Sequence, residues 1–167
     1  MYYKASESIK KFITGFEGIF LTPYICPAGV PTIGIGATFY ENGVRVTMND
    51  KAITMERALQ LFDFHLGFFE RDVNSLLHLS SAPLKHCQFD AILSFAFNVG
   101  TDIDQDNIPE GLGDSTLLKK VLANPDDPAI EGEFLKWDKS KGVRIRGLTI
   151  RRKKEANIYF DRINFQA

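Results

Sequence analysis

The chain is short of cysteine, of net charge and of long apolar runs, and each shortage removes a class of protein. Cys26 and Cys87 are the only two cysteines in 167 residues. That is too few for a secreted disulfide scaffold and the wrong spacing for a zinc cluster, so both read as thiols made in a reducing compartment. With 20 Lys and Arg against 21 Asp and Glu, the formal net charge is −1, which excludes the global basic excess of a dedicated nucleic-acid binder. The opening MYYKASESIKKFITGFEGIF carries Lys4, Glu7, Lys10 and Lys11, which interrupt the apolar stretch that a signal peptide or a transmembrane helix needs. Internal repeats and low-complexity stretches are also missing. What remains, 44% hydrophobic and 25% charged residues, is the composition of one well-cored globular domain.

Apolar periodicity organises that domain. Ile9, Phe12, Ile13 and Phe16 share a helical stripe over residues 6–17, with Ser6 or Ser8 as N-cap and Gly18 as the stop, so Glu17 ends the helix. From Ile19 to Val46 the runs FLTPYI, TIGIGATFY and VRV, punctuated by PAGVP and ENG, predict a small antiparallel sheet. Thr54 then caps a long helix whose apolar positions are Leu59, Phe62, Leu66, Phe69, Val73 and Leu76. The segment CQFDAILSFAFNVG is apolar nearly all round, as in a helix at the centre of a bundle, and its Ser94 and Asn98 require hydrogen-bond partners there. Three more helices are expected at Ser115–Leu122, Pro128–Trp137 and about Leu148–Ile163. The fold class is α+β: a β lobe over about 18–53, and a mainly helical lobe over about 54–167 packed with helix 6–17, joined by the long helix.

The first chemical candidate is Glu17. The partial negative charge of a helix C-terminus and the apolar neighbours Phe16 and Phe20 favour a protonated carboxyl, the state of a general acid. An exposed glutamate at a helix end is the plainer reading of the same position. Eight residues separate Glu17 from Cys26, and five separate Cys26 from Thr32. A hairpin brings the last two together, and a first helix packed against it adds Glu17 to one cleft between the lobes. A buried structural thiol is the usual fate of a lone cysteine.

Five ordered segments, FEGIFLTPYICPAGVPTIGIGAT, QFDAILSFAFNVG, STLLKKVL, FLKW and GLTIRRKKE, resemble the phage lysozymes, or endolysins, of glycoside hydrolase family 24. The resemblance implies a lysozyme-like fold and a catalytic triad at Glu17, Cys26 and Thr32. It also implies that Glu17 protonates the glycosidic oxygen between N-acetylmuramic acid and N-acetylglucosamine in peptidoglycan. Many members have aspartate where Cys26 stands, while some carry cysteine with the same eight- and five-residue gaps, so the second role is the one in which members differ. As thiolate, Cys26 would act as base toward a water held by Thr32, as inverting glycosidases require, whereas a covalent thioglycosyl intermediate and a merely packed thiol are the alternatives. The resemblance further suggests that an arginine of the pair Arg151–Arg152 reaches the cleft and pairs with the glutamate, and Arg151 is the expected substrate-side residue; a solvated helix face is the alternative.

Between Lys136 and Lys154 nine basic residues face only Asp138, which predicts a local basic surface able to steer an anionic wall polymer. The loop TDIDQDNIPEGLGD fails the calcium-loop pattern at Asn107 and Gly113 and reads as a solvated loop, and His65, His78 and His86 show no ligand spacing. The expectation is therefore a muramidase that uses no metal or organic cofactor. Its partner would be peptidoglycan glycan strands, with no nucleic acid and no stable membrane insertion. It would be a monomer, held in the host cytoplasm until a separate membrane pore protein releases it to the periplasm or wall. A lytic transglycosylase forming anhydro ends and a catalytically silent wall-binding protein are the rival functions.

Overall fold

The computed structural model describes residues 2–104 and 110–162. The chain divides into two compact units, Lys10–Phe68 and Met1–Ile9 with Phe69–Ala167. The expected β lobe lies within the first of these.

Helix α1, Glu7–Glu17, starts where Ser6 Oγ accepts the Ile9 N–H at 3.1 Å, so Ser6 and not Ser8 is the cap, and it ends on Glu17 as expected. Strands β1 (Phe20–Ile25) and β2 (Pro31–Gly34) pair antiparallel, with Phe20 opposite Gly34, Tyr24 opposite Thr32, and a bulge between Phe20 and Tyr24. Pro23, which has no N–H to give a ladder, lies inside that bulged stretch.

The sheet is smaller than the sequence predicts. Gly34 (φ 66°) and Gly36 (φ 76°) turn the chain through the left-handed region, and beyond them only isolated bridges remain, Ile33 with Ala37 and Phe39 with Arg45. TIGIGATFY is thus half strand and half turn, and VRV is no strand.

Helix α2, Met55–Leu77, is capped by Thr54, whose Oγ1 accepts the Arg57 N–H at 3.1 Å. Phe62, Leu66, Val73 and Leu76 are buried, but Leu59 is 43% exposed, because the inward stripe runs through Ala58 and Leu61 instead. Leu61 joins Ile33, Ala37 and Val46 in a small core, closed by Tyr40 and Ile53.

In the other unit α3 (His86–Val99) packs on α6 (Arg146–Tyr159), α6 on α5 (Ile130–Leu135), and α5 on α4 (Thr116–Ala123). Ser115 caps α4 by accepting the Leu118 N–H. α5 is shorter than expected, and a hairpin that the sequence reading missed follows it, β3 (Lys139–Ser140) and β4 (Val143–Arg144). Its loop, Lys141 (φ 48°) and Gly142 (φ 79°), has the two left-handed residues of a type I′ turn. α6 begins two residues before Leu148 and stops at Tyr159, where Asp161 turns left-handed and its N–H bonds back to Ile158 O; Ile163 lies outside the described residues. Among the described residues no helix is long and apolar enough to cross a membrane.

Candidate active site

Glu17, Cys26 and Thr32 all belong to the unit Lys10–Phe68. Glu17 is half-buried at the last residue of α1. Cys26 follows β1 and opens the turn CPAGV, which is closed by Cys26 N–H to Val30 O at 3.1 Å and Gly29 N–H to Cys26 O at 2.8 Å. The turn folds back on the sulfur. The Val30 backbone N–H, then the Thr32 hydroxyl, then the Ala28 backbone N–H hold the Cys26 thiol below its ordinary pKa. Donors, not a cation, produce this shift, so it survives in a chain with no lysine at the turn.

Thr32 is the fixed partner. It is 2% exposed, and its Oγ1 donates to Val30 O at 2.9 Å. A hydroxyl has one proton, so it serves the Val30 carbonyl while the thiol is neutral and can turn to the sulfur when the thiol ionises. Tyr24, directly across the ladder from Thr32, was not singled out by the sequence reading. Its phenol is pushed above its usual pKa first by burial, then by the negative charges of Cys26 and Glu17. One phenol therefore feels both candidate catalytic charges. The alternation of a strand, which puts Tyr24 and Cys26 on one side, was the available signal.

The arginine pair sits in the other unit and is not a solvated face. Arg151 is 3% and Arg152 0% exposed, and both meet the fully buried Glu155. Arg151 Nε lies 3.1 Å from Glu155 Oε1 and its Nη2 donates to Ser94 O at 3.2 Å. Arg152 Nη2 donates to Asn98 Oδ1 at 2.8 Å, and its plane lies over the Phe95 ring at 4.8 Å. Ser94 Oγ donates to Glu155 Oε1 at 2.7 Å, so Ser94 and Asn98, the two α3 residues expected to need partners, find them on α6. Burial pushes the Glu155 carboxyl up, against the pull of the two guanidiniums. Glu155 is not singled out by the sequence reading, although its spacing from both arginines, i+3 and i+4, is the helix ion-pair signature.

The basic surface is accordingly smaller than nine residues. Arg151 and Arg152 are buried, and of the seven exposed residues Arg144 is paired with the buried Asp138 at 2.7 Å and Lys136 with Glu133 at 2.8 Å, which leaves Lys139, Lys141, Arg146, Lys153 and Lys154 as the rest of the surface. Asn107 and its neighbours 105–109 lie outside the described residues, and the described part of the loop after α3 is not simply solvated: Gly111, Leu112 and Asp114 are buried, and Asp102 Oδ2 accepts the Gly111 and Asp114 N–H groups at 3.1 and 3.3 Å. One carboxylate oxygen from each of Asp102, Asp104 and Asp114 lies within 4.8 Å of the others. His65 bonds to Phe39 O at 2.8 Å as a packing residue, and both cysteines are free thiols.

A family model described as phage lysozyme matches residues 14–155. The chain belongs to the phage lysozyme family. An endolysin of Acyrthosiphon pisum secondary endosymbiont phage 1 is 33% identical over 162 residues, 92% of this chain and 96% of that one. The structure of an endolysin from Escherichia coli O157:H7 phage FAHEc1 is 30% identical, with a TM-score of 0.77 over 98% of this chain and 97% of the other. A mutant P22 lysozyme is 28% identical, with a TM-score of 0.76 over 94% and 98%. The expected α+β lysozyme-like fold is therefore the observed one. This phage lysozyme is an endolysin, a peptidoglycan hydrolase.

Proposed function

We propose that this endolysin is a muramidase that hydrolyses the β-1,4 bond between N-acetylmuramic acid and N-acetylglucosamine, with Glu17 as general acid, Cys26 as base and Thr32 as the residue that holds the water. The observation that carries this reading is the tight turn CPAGV, closed by Cys26 N–H to Val30 O at 3.1 Å and Gly29 N–H to Cys26 O at 2.8 Å, which sets backbone N–H groups and the buried Thr32 hydroxyl beside a thiol held below its ordinary pKa. Glu17 gives its proton to the leaving oxygen as the C1–O bond breaks. Water attacks C1 from the opposite face, and its proton passes to the Cys26 thiolate, which regenerates both groups after exchange with solvent. No metal or organic cofactor enters these steps.

Arg151 keeps in this reading the substrate-side part that the resemblance implies for it, and its contacts to Glu155 and Ser94 O support the guanidinium in place. The enzyme acts as a monomer, and it waits in the host cytoplasm for a separate membrane pore protein to admit it to the wall. Mass spectrometry of fragments released from purified peptidoglycan tests the reaction. Reducing ends are expected; anhydro ends, lighter by one water, would make it a transglycosylase with no use for a water base, and no release would leave a wall-binding protein.

A further inference from the structure

Strand β1 carries an aromatic feature that the reaction above does not use. In a regular strand four residues span about 13 Å, yet the rings of Phe20 and Tyr24, four positions apart, have centroids 4.3 Å apart and planes inclined at 35°. The bulge between them makes this possible, since Phe20 to Tyr24 is matched across the ladder only by Gly34 to Thr32. The two rings form one continuous apolar surface, and Phe20 remains 46% exposed. An aromatic ring held open to water on a short strand forgoes a stabilisation that burial would give it.

The placement of this surface gives it a purpose. Gly18, the residue after Glu17, has φ 74°, and a Cβ there would lie 3.3 Å from the edge of the Phe20 ring, so the ring reaches back over the turn that leaves Glu17. Its other end is Tyr24, which faces Thr32 across the ladder and precedes Cys26 by two residues. The shelf thus runs from the acid to the thiol.

We propose that Phe20, backed by Tyr24, is a substrate-binding shelf that stacks on the C–H face of a hexosamine ring next to the bond cleaved. β-1,4-linked hexosamines carry their bulky groups equatorially and present flat faces of axial C–H bonds, which match an exposed aromatic face, while their polar edges stay with solvent and hydrogen-bonding groups. The shelf makes binding depend on the glycan strand itself. It rests on the muramidase reading, and the test separates the two.

The substrate for the test is soluble, uncross-linked glycan strands of alternating N-acetylmuramic acid and N-acetylglucosamine. The full chain and its Phe20→Ala, Phe20→Leu and Phe20→Trp variants are compared for KM, kcat and Tm. Phe20→Ala should raise KM about tenfold and leave kcat within about threefold. Phe20→Leu, apolar but without a flat ring, should also raise KM, and Phe20→Trp should stay within about twofold of wild type, the scale of one aromatic contact. Unchanged KM in Phe20→Ala overturns the shelf. So does a KM defect confined to variants with a lowered Tm, with Phe20→Leu behaving as wild type, since Phe20 would then only pack. If the wild type itself releases nothing from these strands, the muramidase reading fails, and the shelf with it.

Discussion

The hairpin that carries Cys26 and the α3–α6 pair handle polar groups in opposite ways. The hairpin leaves its thiol at the surface and stabilises the thiolate with backbone N–H groups and one hydroxyl. The helix pair removes two arginines and a glutamate from water and pairs them with one another, with Ser94 and with Asn98. The first arrangement keeps a group available to change protonation; the second fixes charges in a place where changing them is costly. Chemistry and stability are therefore expected to respond to different substitutions, and the comparison can be broken.

The largest effect should come from Glu17→Gln. Loss of a general acid costs about 10²–10⁴ in rate, read as reducing ends released per minute, whereas Tm should barely move because Glu17 is half-exposed at a helix end. A variant that unfolds early would place Glu17 among the structural charges instead.

Next is Glu155→Ala, which leaves two buried guanidiniums without their shared carboxylate. Removing one partner of a buried ionic group costs about 3–5 kcal/mol, and in a domain of this size each kcal/mol lowers Tm by about 2–4 °C. Thermal denaturation followed by circular dichroism measures it. A Tm within about 2 °C of wild type would show that the cluster is not structural and would dissolve the contrast between the two regions.

How much of this was legible follows the same division. Local signals were read correctly: Thr54 as a cap, Glu17 at the end of α1, the all-round apolar α3. Each depends on residues within a turn or two of each other. The misses depend on what lies across the fold. Leu59 and Leu61 are equally apolar in sequence, and only the packing of Ile33 and Val46 decides which is covered. Arg151 was expected at the cleft or on a solvated face, and what the sequence did not show is the set of acceptors that permits its burial with Arg152: Glu155 on the same helix, and Ser94 and Asn98 on α3, more than 50 residues away. The truncated sheet is an intermediate case, since Gly34 and Gly36 were visible but their left-handed conformation was not. At the site itself the residue types were readable, and the donor set of the CPAGV turn was not.

Cys26 tests the hairpin's side of the comparison more gently. Cys26→Ala removes the base and should lower activity about 100-fold. Cys26→Asp restores an anion at the same place and should retain activity within about tenfold of wild type. Equal activity in wild type and Cys26→Ala would reduce the thiol to packing and leave Glu17 to act alone.

The smallest effect, and the one most specific to the turn, is a displacement in pH. A base must be deprotonated to act, so activity should rise as pH rises through the Cys26 pKa, which the turn holds below the ordinary thiol value. Thr32→Val deletes one of the stabilising donors while keeping the shape of the buried side chain; it also removes the hydroxyl that holds the water, so the activity falls in height, and the position of its pH limb is what reports the donor. The substitution strands no buried group, because Val30 O still accepts the Cys26 N–H. The thiolate then forms at higher pH, and the rising limb of activity should move to higher pH with it, whereas Thr32→Ser, which keeps the hydroxyl, should leave both near wild type. Alkylation by iodoacetamide, resolved by peptide mass spectrometry, reads the Cys26 titration separately from that of Cys87, whose thiol burial pushes up. If the alkylation curve moves and the activity limb does not, the thiolate exists but is not the base. If neither moves, the backbone N–H groups of Ala28 and Val30 hold the thiolate by themselves, and Thr32 serves the water alone.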